Sequence, residues 1–241
     1  MNMDINKAAQ ADAQKAAPGE RFNRIENPKR TQEEMSLQFQ RLKAARTCEN
    51  LAGTFSYLFS ANRMEELAGL FAHTPQDKIT MPYGVYQGAD AAQRCFVEDM
   101  VDLDDPDEDR REALKGRMMI SDLCTPLVEV AGDGKTAKGL WISPGLEAHR
   151  TGDGSQGWWT WCKFSVDFLL TEEGWKIWHL GKYLYFSTEY TKSWAKSPKH
   201  IFAPDSITAD APAPETYYYT PEAVYPDEEP AIPVAYDTWT D

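Results

Sequence analysis

The fold of this chain is decided by residues 118–143, MMISDLCTPLVEVAGDGKTAKGLWIS. Here the apolar side chains follow a period of two, which is typical of β-strands. Residues 132–135, GDGK, interrupt the pattern with the glycines that a tight hairpin turn favours. The segment therefore predicts two antiparallel strands, residues 118–131, bent at Pro126, and residues 136–143.

Two further strands are predicted downstream, at residues 158–170 and 175–186, joined by a turn at residues 171–174. Residues 144–157 are polar and glycine-rich, and we expect them to form a loop. Together the four long strands predict an antiparallel meander.

Upstream of residue 118 the apolar period is three to four, which indicates helices. The helix-type pattern is interrupted once, by a short strand and a glycine-punctuated turn. The predicted elements are helices at residues 37–60, 63–71 and 89–100, the strand at 77–81 and the turn at 83–88. Helices followed by strands predict an α+β fold, with the helices on one face of a curved sheet.

The two ends of the chain differ from this central region. Residues 1–36 are rich in Ala, Gln and charge, and we expect a flexible leader. Residues 202–241 carry nine acids, no Lys or Arg, seven prolines and seven aromatics. Disordered tails are usually poor in aromatics, so we expect the arm, residues 201–241, to dock on a surface. The alternative is a disordered acidic tail.

Composition restricts the partners and the compartment. The 241 residues carry a net charge of −13, which excludes a non-specific nucleic-acid binder and disfavours anionic membrane surfaces. No apolar run is long enough to span a membrane, and the N-terminus lacks the apolar region of a secretory signal. These features predict a cytoplasmic protein.

The sequence offers no pattern for a metal or cofactor. The four cysteines, Cys48, Cys95, Cys124 and Cys162, stand singly, with no spacing typical of metal ligands. There is no glycine-rich phosphate loop either. We therefore expect free thiols, no metal and no cofactor.

Several short motifs occur in a characteristic order between residues 37 and 200. They are RMEEL at 63–67, MPYGVYQG at 81–88, TPLVEVAGDG at 125–134, AKGLW at 137–141, GWKIWH at 174–179 and YTKSW at 190–194. This order resembles the SnoaL-like branch of the nuclear transport factor 2-like superfamily. The resemblance implies a cone-like roll of three N-terminal helices packed in a curved antiparallel sheet around an apolar pocket. The family includes polyketide cyclases, dehydratases, isomerases and proteins without catalysis, so the fold does not define the reaction.

A dehydratase or isomerase of this shape needs a base beside the substrate and a donor for the developing oxyanion. His179 shares strand parity with Trp175 and Ile177, so we expect it to point inward as the base or acid. Tyr57 on the first helix is the candidate donor. The alternatives are a core histidine satisfied by a hydrogen bond and a core aromatic with its hydroxyl at the rim.

Five further residues are candidates for substrate binding. Two tyrosines flank the glycine turn near the expected pocket mouth, and one tryptophan shares the concave face with small residues. Two polar residues stand where catalytic relatives often carry His or Asp. These candidates are Tyr83, Tyr86, Trp141, Asn62 and Asp122. Simple packing is the alternative for each aromatic. His149 falls in the predicted loop.

Two functions remain open at this point. The first is a pocket for an apolar or aromatic small molecule, with cofactor-independent lyase or isomerase activity of the dehydratase or cyclase type. The second is a non-catalytic binding or interaction protein of the same fold. Outward-facing Trp159 and Trp161 on the convex sheet face indicate a dimer interface or a surface on which the C-terminal arm docks. We expect a homo-oligomer in either case.

Overall fold

The computed structural model describes residues 31–100, 109, 112, 114–151, 154–199, 201, 203, 207–215, 218–222, 224 and 229–239. It divides the chain into two units, residues 1–40 and 41–241. Most of the predicted leader, much of the acidic stretch after residue 100 and parts of the C-terminal arm lie outside the described residues. Within the described part of the chain, no helix combines the length and apolarity needed to cross a membrane.

In the first unit, the described residues form the start of helix α1, Gln32–Ser60. Thr31 caps this helix reciprocally with Glu34. The Thr31 backbone N–H donates to Glu34 Oε2 at 2.7 Å, and Thr31 Oγ1 accepts from the Glu34 N–H at 3.2 Å. This capping box satisfies two helix-end donors, so the helix begins five residues before the predicted Leu37.

The second unit contains the rest of α1, the short helix α2, Met64–Ala68, and a π-helical segment, Gln93–Asp99. The buried positions of α1 recur every three or four residues: Ala44, Cys48, Ala52, Phe55 and Phe59. Asn62 has a φ of 54°, a left-handed conformation that Asn tolerates and that ends the helix. The three predicted helical regions are therefore present, the third as a π-helix.

The sheet has seven strands in the order β2-β1-β7-β6-β5-β3, with β4 also paired to β5. The strands are β1 Lys78–Met81, β2 Gly84–Gln87, β3 Met118–Ser121, β4 Cys124–Val130, β5 Thr136–Thr151, β6 Gly154–Thr171 and β7 Gly174–Glu189. β1 pairs with β7 in parallel, and the other pairs are antiparallel. Helices packed against one curved, unclosed sheet confirm the predicted α+β class, although the sheet is mixed.

Three element predictions were wrong in detail. The strand predicted at residues 118–131 is two strands, both paired to β5. The turn predicted at residues 83–88 contains β2. Of the loop predicted at residues 144–157, residues 144–151 continue β5 and residues 154–157 begin β6. Pro144 lies opposite the end of β3, where its carbonyl oxygen accepts from the Asp122 N–H at 3.1 Å and its missing N–H coincides with the break between β3 and β4.

The first contact of the C-terminal arm extends the edge of the sheet at β2. The Val85 N–H donates to the Ala211 carbonyl at 2.9 Å, and the Asp210 N–H donates to the Val85 carbonyl at 2.8 Å. The buried Asp99 carboxylate accepts from the Tyr86 hydroxyl at 2.7 Å, the Thr208 N–H at 2.7 Å and Thr208 Oγ1 at 3.2 Å.

A further contact of the arm lies at the β4–β5 hairpin. The Gly132 N–H donates to the Tyr236 carbonyl at 2.8 Å, and the Asp133 N–H donates to the Asp237 carbonyl at 3.0 Å. The Trp239 ring then lies under the Lys138 ammonium, with Nζ 4.2 Å from the ring centroid. These described arm residues dock on their own chain, as the aromatic content predicted.

We predict that the segment around Thr208 stabilises the domain. A chain lacking residues 203–241 loses both Thr208 donors to the buried Asp99 carboxylate, whereas a chain lacking residues 212–241 keeps them. We expect the longer deletion to be less stable than the shorter one by about 1–3 kcal/mol. At about 2–4 °C of Tm per kcal/mol, calorimetry resolves this difference. Equal melting temperatures for the two truncations would contradict the assigned role.

Candidate functional site

Two β-bulges in β7 determine which side chains face the interior. Ile177 pairs with Phe168, but His179 pairs with Asp167, so Trp178 between them has no partner on β6. The extra residue reverses the alternation of inward-facing and outward-facing side chains along β7. His179 therefore faces outward with Asp167, and the prediction that it points inward with Ile177 was wrong.

His179 is held on the outer face by two acceptor oxygens. Its Nδ1 lies 3.0 Å from Asp167 Oδ2, and its Nε2 lies 3.1 Å from the Gln76 carbonyl oxygen. The ring also stacks on Trp178 with centroids 4.1 Å apart. Both ring nitrogens thus have partners within the protein, as the alternative expected, but the ring lies on the outer face of the sheet and not in the core.

An outer groove of about 650 Å³ surrounds this histidine. Its floor consists of residues that the sheet register places side by side on β6, β7, β1 and β2. They are Asp167, His179, Lys78 and Gln87 in one row, and Ser165, Gly181 and Thr80 in the next. Burial, together with the charges of Asp167 and Glu229, raises the pKa of Tyr183, which also lines the groove.

The inner face of the sheet carries a different polar cluster. Lys182 lies between Leu180 and Leu184 on the inward side of β7, and its Nζ is 2.9 Å from Glu147 Oε1. His149 Nε2 is 3.7 Å from Glu147 Oε2. The side chains of Lys182, Glu147 and His149 are exposed by only 7, 12 and 8%, respectively.

The electrostatics favour a charged Lys182–Glu147 pair. Burial disfavours the ionised form of Glu147, but the Lys182 charge and the contact with His149 outweigh burial and lower the pKa of Glu147. Burial likewise opposes the charge on Lys182, while Glu147 raises the pKa of Lys182 above its usual value. The interior therefore contains an ion pair beside an imidazole.

This cluster lines an inner cavity of about 30 Å³. The other lining side chains fall into an apolar and a polar group. The apolar group includes Phe59, Met81, Met100, Met119, Leu184 and Ile201, and the polar group is Tyr83, Arg117, Thr160 and Ser187. The cavity thus presents a few convergent polar groups within an apolar wall, as binding sites commonly do.

The other predicted site residues are dispersed. Tyr57 is 82% exposed, on the side of α1 opposite the buried stripe, so its expected place in the pocket was wrong. Tyr83 lines the inner cavity, whereas Tyr86 is buried and its hydroxyl donates a hydrogen bond to Asp99. Asp122 is exposed.

Trp141 is on the concave face, as predicted, and its ring covers Gly139 so closely that a Cβ atom there would overlap it. Asn62 ends α1, and its buried Oδ1 has no hydrogen-bond partner among the described residues. The substrate-binding roles of Tyr83, Tyr86, Trp141, Asn62 and Asp122 stay predictions.

Sequence reasoning missed Glu147, His149 and Lys182 for identifiable reasons. Pro144 and Gly145 were taken as loop signals, which removed the first two from the sheet. Lys182 has the opposite parity to the predicted inward set. One signal could have identified Glu147 and His149. Both are odd-numbered, and they continue the inward-facing alternation that begins at Ala137 and Trp141 on the same strand.

Metal binding has no support in the described residues, where no three His, Cys, Asp or Glu side chains gather in the manner of a metal site. The chemistry that the inner cluster can perform is proton transfer, by His149, and stabilisation of negative charge, by Lys182.

The comparisons with known proteins concern the same part of the chain. The model of the SnoaL-like domain family matches residues 40–181. No match was found among the curated proteins.

Solved structures share the fold at low sequence identity. Hexachlorocyclohexane dehydrochlorinase LinA-type3 from Novosphingobium barchaimii LL02 has 13% identity and a TM-score of 0.50, covering 69% of this chain and 99% of its own. The type 2 hexachlorocyclohexane dehydrochlorinase (LinA) has 14% identity and a TM-score of 0.50, covering 70% and 99%. A nuclear transport factor 2-like superfamily protein from Salmonella enterica has 15% identity and a TM-score of 0.46, covering 63% and 94%. At these identities the likeness concerns the fold.

We predict that Lys182→Met destabilises the protein by about 3–5 kcal/mol at pH 7, because Glu147 is left as an unpaired buried charge. The double variant Glu147→Gln/Lys182→Met is expected to recover most of this loss. Urea unfolding measures both. Lys192→Met, at an exposed pair with Glu189, is the matched control and should cost less than about 1 kcal/mol.

The same pair predicts a pH dependence. Because folding lowers the pKa of Glu147, the ionised carboxylate stabilises the folded state at pH values above 4.5, which is its ordinary pKa. This contribution to stability decreases as the pH falls below 4.5. Lys182→Met lacks that contribution, so the gap to the natural chain should narrow from pH 7 to pH 4. A gap that stays constant would show that the pair is not ionised.

Proposed function

Because this chain belongs to the SnoaL-like domain family, as its motif order indicated, we propose that it is a cofactor-free lyase or isomerase acting on a small, largely apolar molecule. The observation that carries the proposal is the buried Lys182–Glu147–His149 cluster at the wall of the inner cavity. The reaction class is removal of a proton from carbon, with stabilisation of the anion that results.

The cluster is hard to explain as a stabilising element. A buried ion pair gains little or nothing over well-packed apolar side chains of similar size, because both charges lose their hydration. Leucines occupy the neighbouring inward positions 180 and 184 of the same strand. Charged groups retained in a cavity with shifted pKa values are typical of functional sites.

Each member of the cluster has a separate task in this proposal. The His149 imidazole removes the substrate proton, and the electron pair of the broken C–H bond moves into a new C=C bond or enolate. Glu147 orients the imidazole and balances the positive charge that the ring acquires. Lys182, with donors beyond the one directed to Glu147, binds the developing oxyanion or the departing anion.

Two outcomes follow from the anion. If a leaving group sits on the neighbouring carbon, it departs with its bonding electrons, and the reaction is an elimination. If it does not, His149 returns the proton to another carbon, and the reaction is an isomerisation. The dehydrochlorinases that share the fold act on hexachlorocyclohexane, and we extend elimination to this chain only as part of the proposal.

The cavity restricts the substrate class. At about 30 Å³ it is near the volume of one water molecule, so a substrate must displace side chains from the wall. Met81, Met100 and Met119 supply adaptable side chains that can repack. A small ring that carries oxygen or halogen substituents is the class that this wall and cluster favour.

One observation favours the alternative of a non-catalytic protein. Trp141 occupies the space above Gly139 and packs edge-on against Phe168, which fills the interior beyond the cluster. A protein that retains the fold but has lost access to its cavity would show this filling.

The experiment compares His149→Gln with His179→Gln, the same substitution on opposite faces of the sheet. The probes are hexachlorocyclohexane, read by chloride release, and cyclohexanone, read by deuterium exchange at the carbon beside the carbonyl. We expect His149→Gln to lose about 10²–10⁴ of the rate and His179→Gln to retain it.

The other outcomes each contradict the proposal. Loss in His179→Gln alone would move the chemistry to the outer groove. Turnover unchanged in His149→Gln would remove the histidine from the reaction. No turnover of either probe, with no change in the His149 NMR signals on adding them, would favour the non-catalytic alternative.

A further inference from the structure

The floor of the outer groove carries polar side chains whose hydrogen-bonding capacity is unused. The sheet register places Lys78, Thr80, Gln87 and Ser165 in two adjacent rows on β1, β2 and β6. Their side chains form no hydrogen bond or ion pair with the other residues that the structure describes. These four groups are therefore available to a ligand that enters the groove.

Aromatic rings lie beside both rows of this floor. Trp178 stacks on His179 in the first row, and Trp239 of the C-terminal arm lies against this pair, with ring centroids 5.0 and 5.2 Å away. In the second row the Tyr183 ring covers Gly181, where a Cβ atom would lie 2.4 Å from Tyr183 Cε2. The groove therefore combines flat apolar surfaces with free polar groups.

His179 supports this surface from within the protein. Its nitrogens are directed at Asp167 Oδ2 and the Gln76 carbonyl oxygen, and its ring holds the Trp178 ring by stacking. The second carboxylate oxygen of Asp167, Oδ1, has no hydrogen-bond partner among the described residues. Asp167 thus supplies the groove with a fixed acceptor.

The free groups together offer both donors and acceptors. The Lys78 ammonium only donates, and the Asp167 carboxylate only accepts. The Ser165 and Thr80 hydroxyls and the Gln87 amide can do both. A ligand that satisfies this mixture must carry several groups that also donate and accept, and hydroxyl groups have this property.

Two other classes of ligand fit the groove less well. A phosphate or sulfate is ordinarily met by arginines, several positive charges or clustered backbone N–H groups. Lys78 is the only Lys or Arg among the residues that line the groove, and Asp167 lies in the same row. A purely apolar ligand would take the polar floor away from water without replacing its hydrogen bonds, which is unfavourable.

The size of the groove suits a ligand larger than one that the inner cavity could hold. Its volume of about 650 Å³ lies within the range of about 300–1,000 Å³ that is typical of small-molecule sites. The inner cavity, at about 30 Å³, must repack before it admits a substrate. The outer groove needs no such rearrangement.

We propose that the outer groove is a binding site for a short saccharide of two or three rings. A sugar ring presents an apolar face of C–H groups, which packs on the rings of Trp178 and Trp239. Its hydroxyls at the ring edge bond to Lys78, Gln87 and Ser165 on the floor. The inner cavity lies on the opposite face of the sheet, so this site does not rest on the proposed lyase or isomerase activity.

The test titrates the full chain with small saccharides and follows the indole N–H signals of its eight tryptophans by NMR. The five probes are cellotriose, maltotriose, laminaritriose, triacetylchitotriose and digalacturonate. We expect at least one probe to shift the Trp178 and Trp239 signals with a dissociation constant of about 1 mM or below. The signal of Trp161, outside the groove, should not move.

Three variants locate the site. Trp239→Ala removes one aromatic wall and should weaken binding by at least about 10-fold. Trp159→Ala is the matched control, because Trp159 is an outward-facing tryptophan outside the groove, as the sequence predicted, and this variant should bind as the natural chain does. Lys78→Ala removes an exposed donor of the floor and should weaken binding by about 3- to 10-fold. Circular dichroism checks that each variant is folded.

Four results would overturn the proposal. They are no response to any of the five saccharides at about 10 mM, equal weakening in Trp239→Ala and Trp159→Ala, binding unchanged in both Trp239→Ala and Lys78→Ala, and shifts at His149 in place of the two groove tryptophans. A response to benzoate, with none to the saccharides, would assign the groove to aromatic anions instead.

Discussion

The register between β6 and β7 controls the arrangement of both sites. β7 contains two residues, Trp178 and Tyr185, that have no partner on β6, and each reverses the alternation of side chains. Between the two bulges, Leu180, Lys182 and Leu184 face inward. Without the first bulge, Lys182 would face solvent and His179 would enter the interior. A bulge also increases the local bend and twist of a strand, which suits a sheet that curves around helices.

The same register divides the outer face into two regions of different chemistry. At one end, paired residues of three strands bring Asp167, His179 and Lys78 into a polar row. At the other end, Trp159 and Trp161 occupy successive outward positions of β6. Because β6 has no bulge of its own, a single strand carries both regions. This division gives one sheet face both a polar groove and an apolar surface.

The fold was predictable because its signals are local. The period of two, the hairpin at residues 132–135 and the stripe of α1 each depend on neighbouring residues only. The bulge at Trp178 was not predictable, because Ile177, Trp178 and Leu180 are all apolar and either register leaves an acceptable pattern. The strand continuation past Pro144 depended on a break between β3 and β4, which is a feature of other strands.

Two histidine–carboxylate pairs lie on opposite faces of this sheet, and their surroundings distinguish them. On the outer face, both nitrogens of His179 are directed at oxygen atoms of the protein, at 3.0 and 3.1 Å, so neither nitrogen is directed at a ligand in the groove. On the inner face, the carboxylate of Glu147 is shared between His149 and a buried ammonium. An ammonium beside the pair supplies what a carbanion needs and a structural histidine does not: a fixed positive charge, in a medium that screens it weakly. The presence of Lys182, more than that of either histidine, is therefore the reason why we place the proposed chemistry inside the sheet.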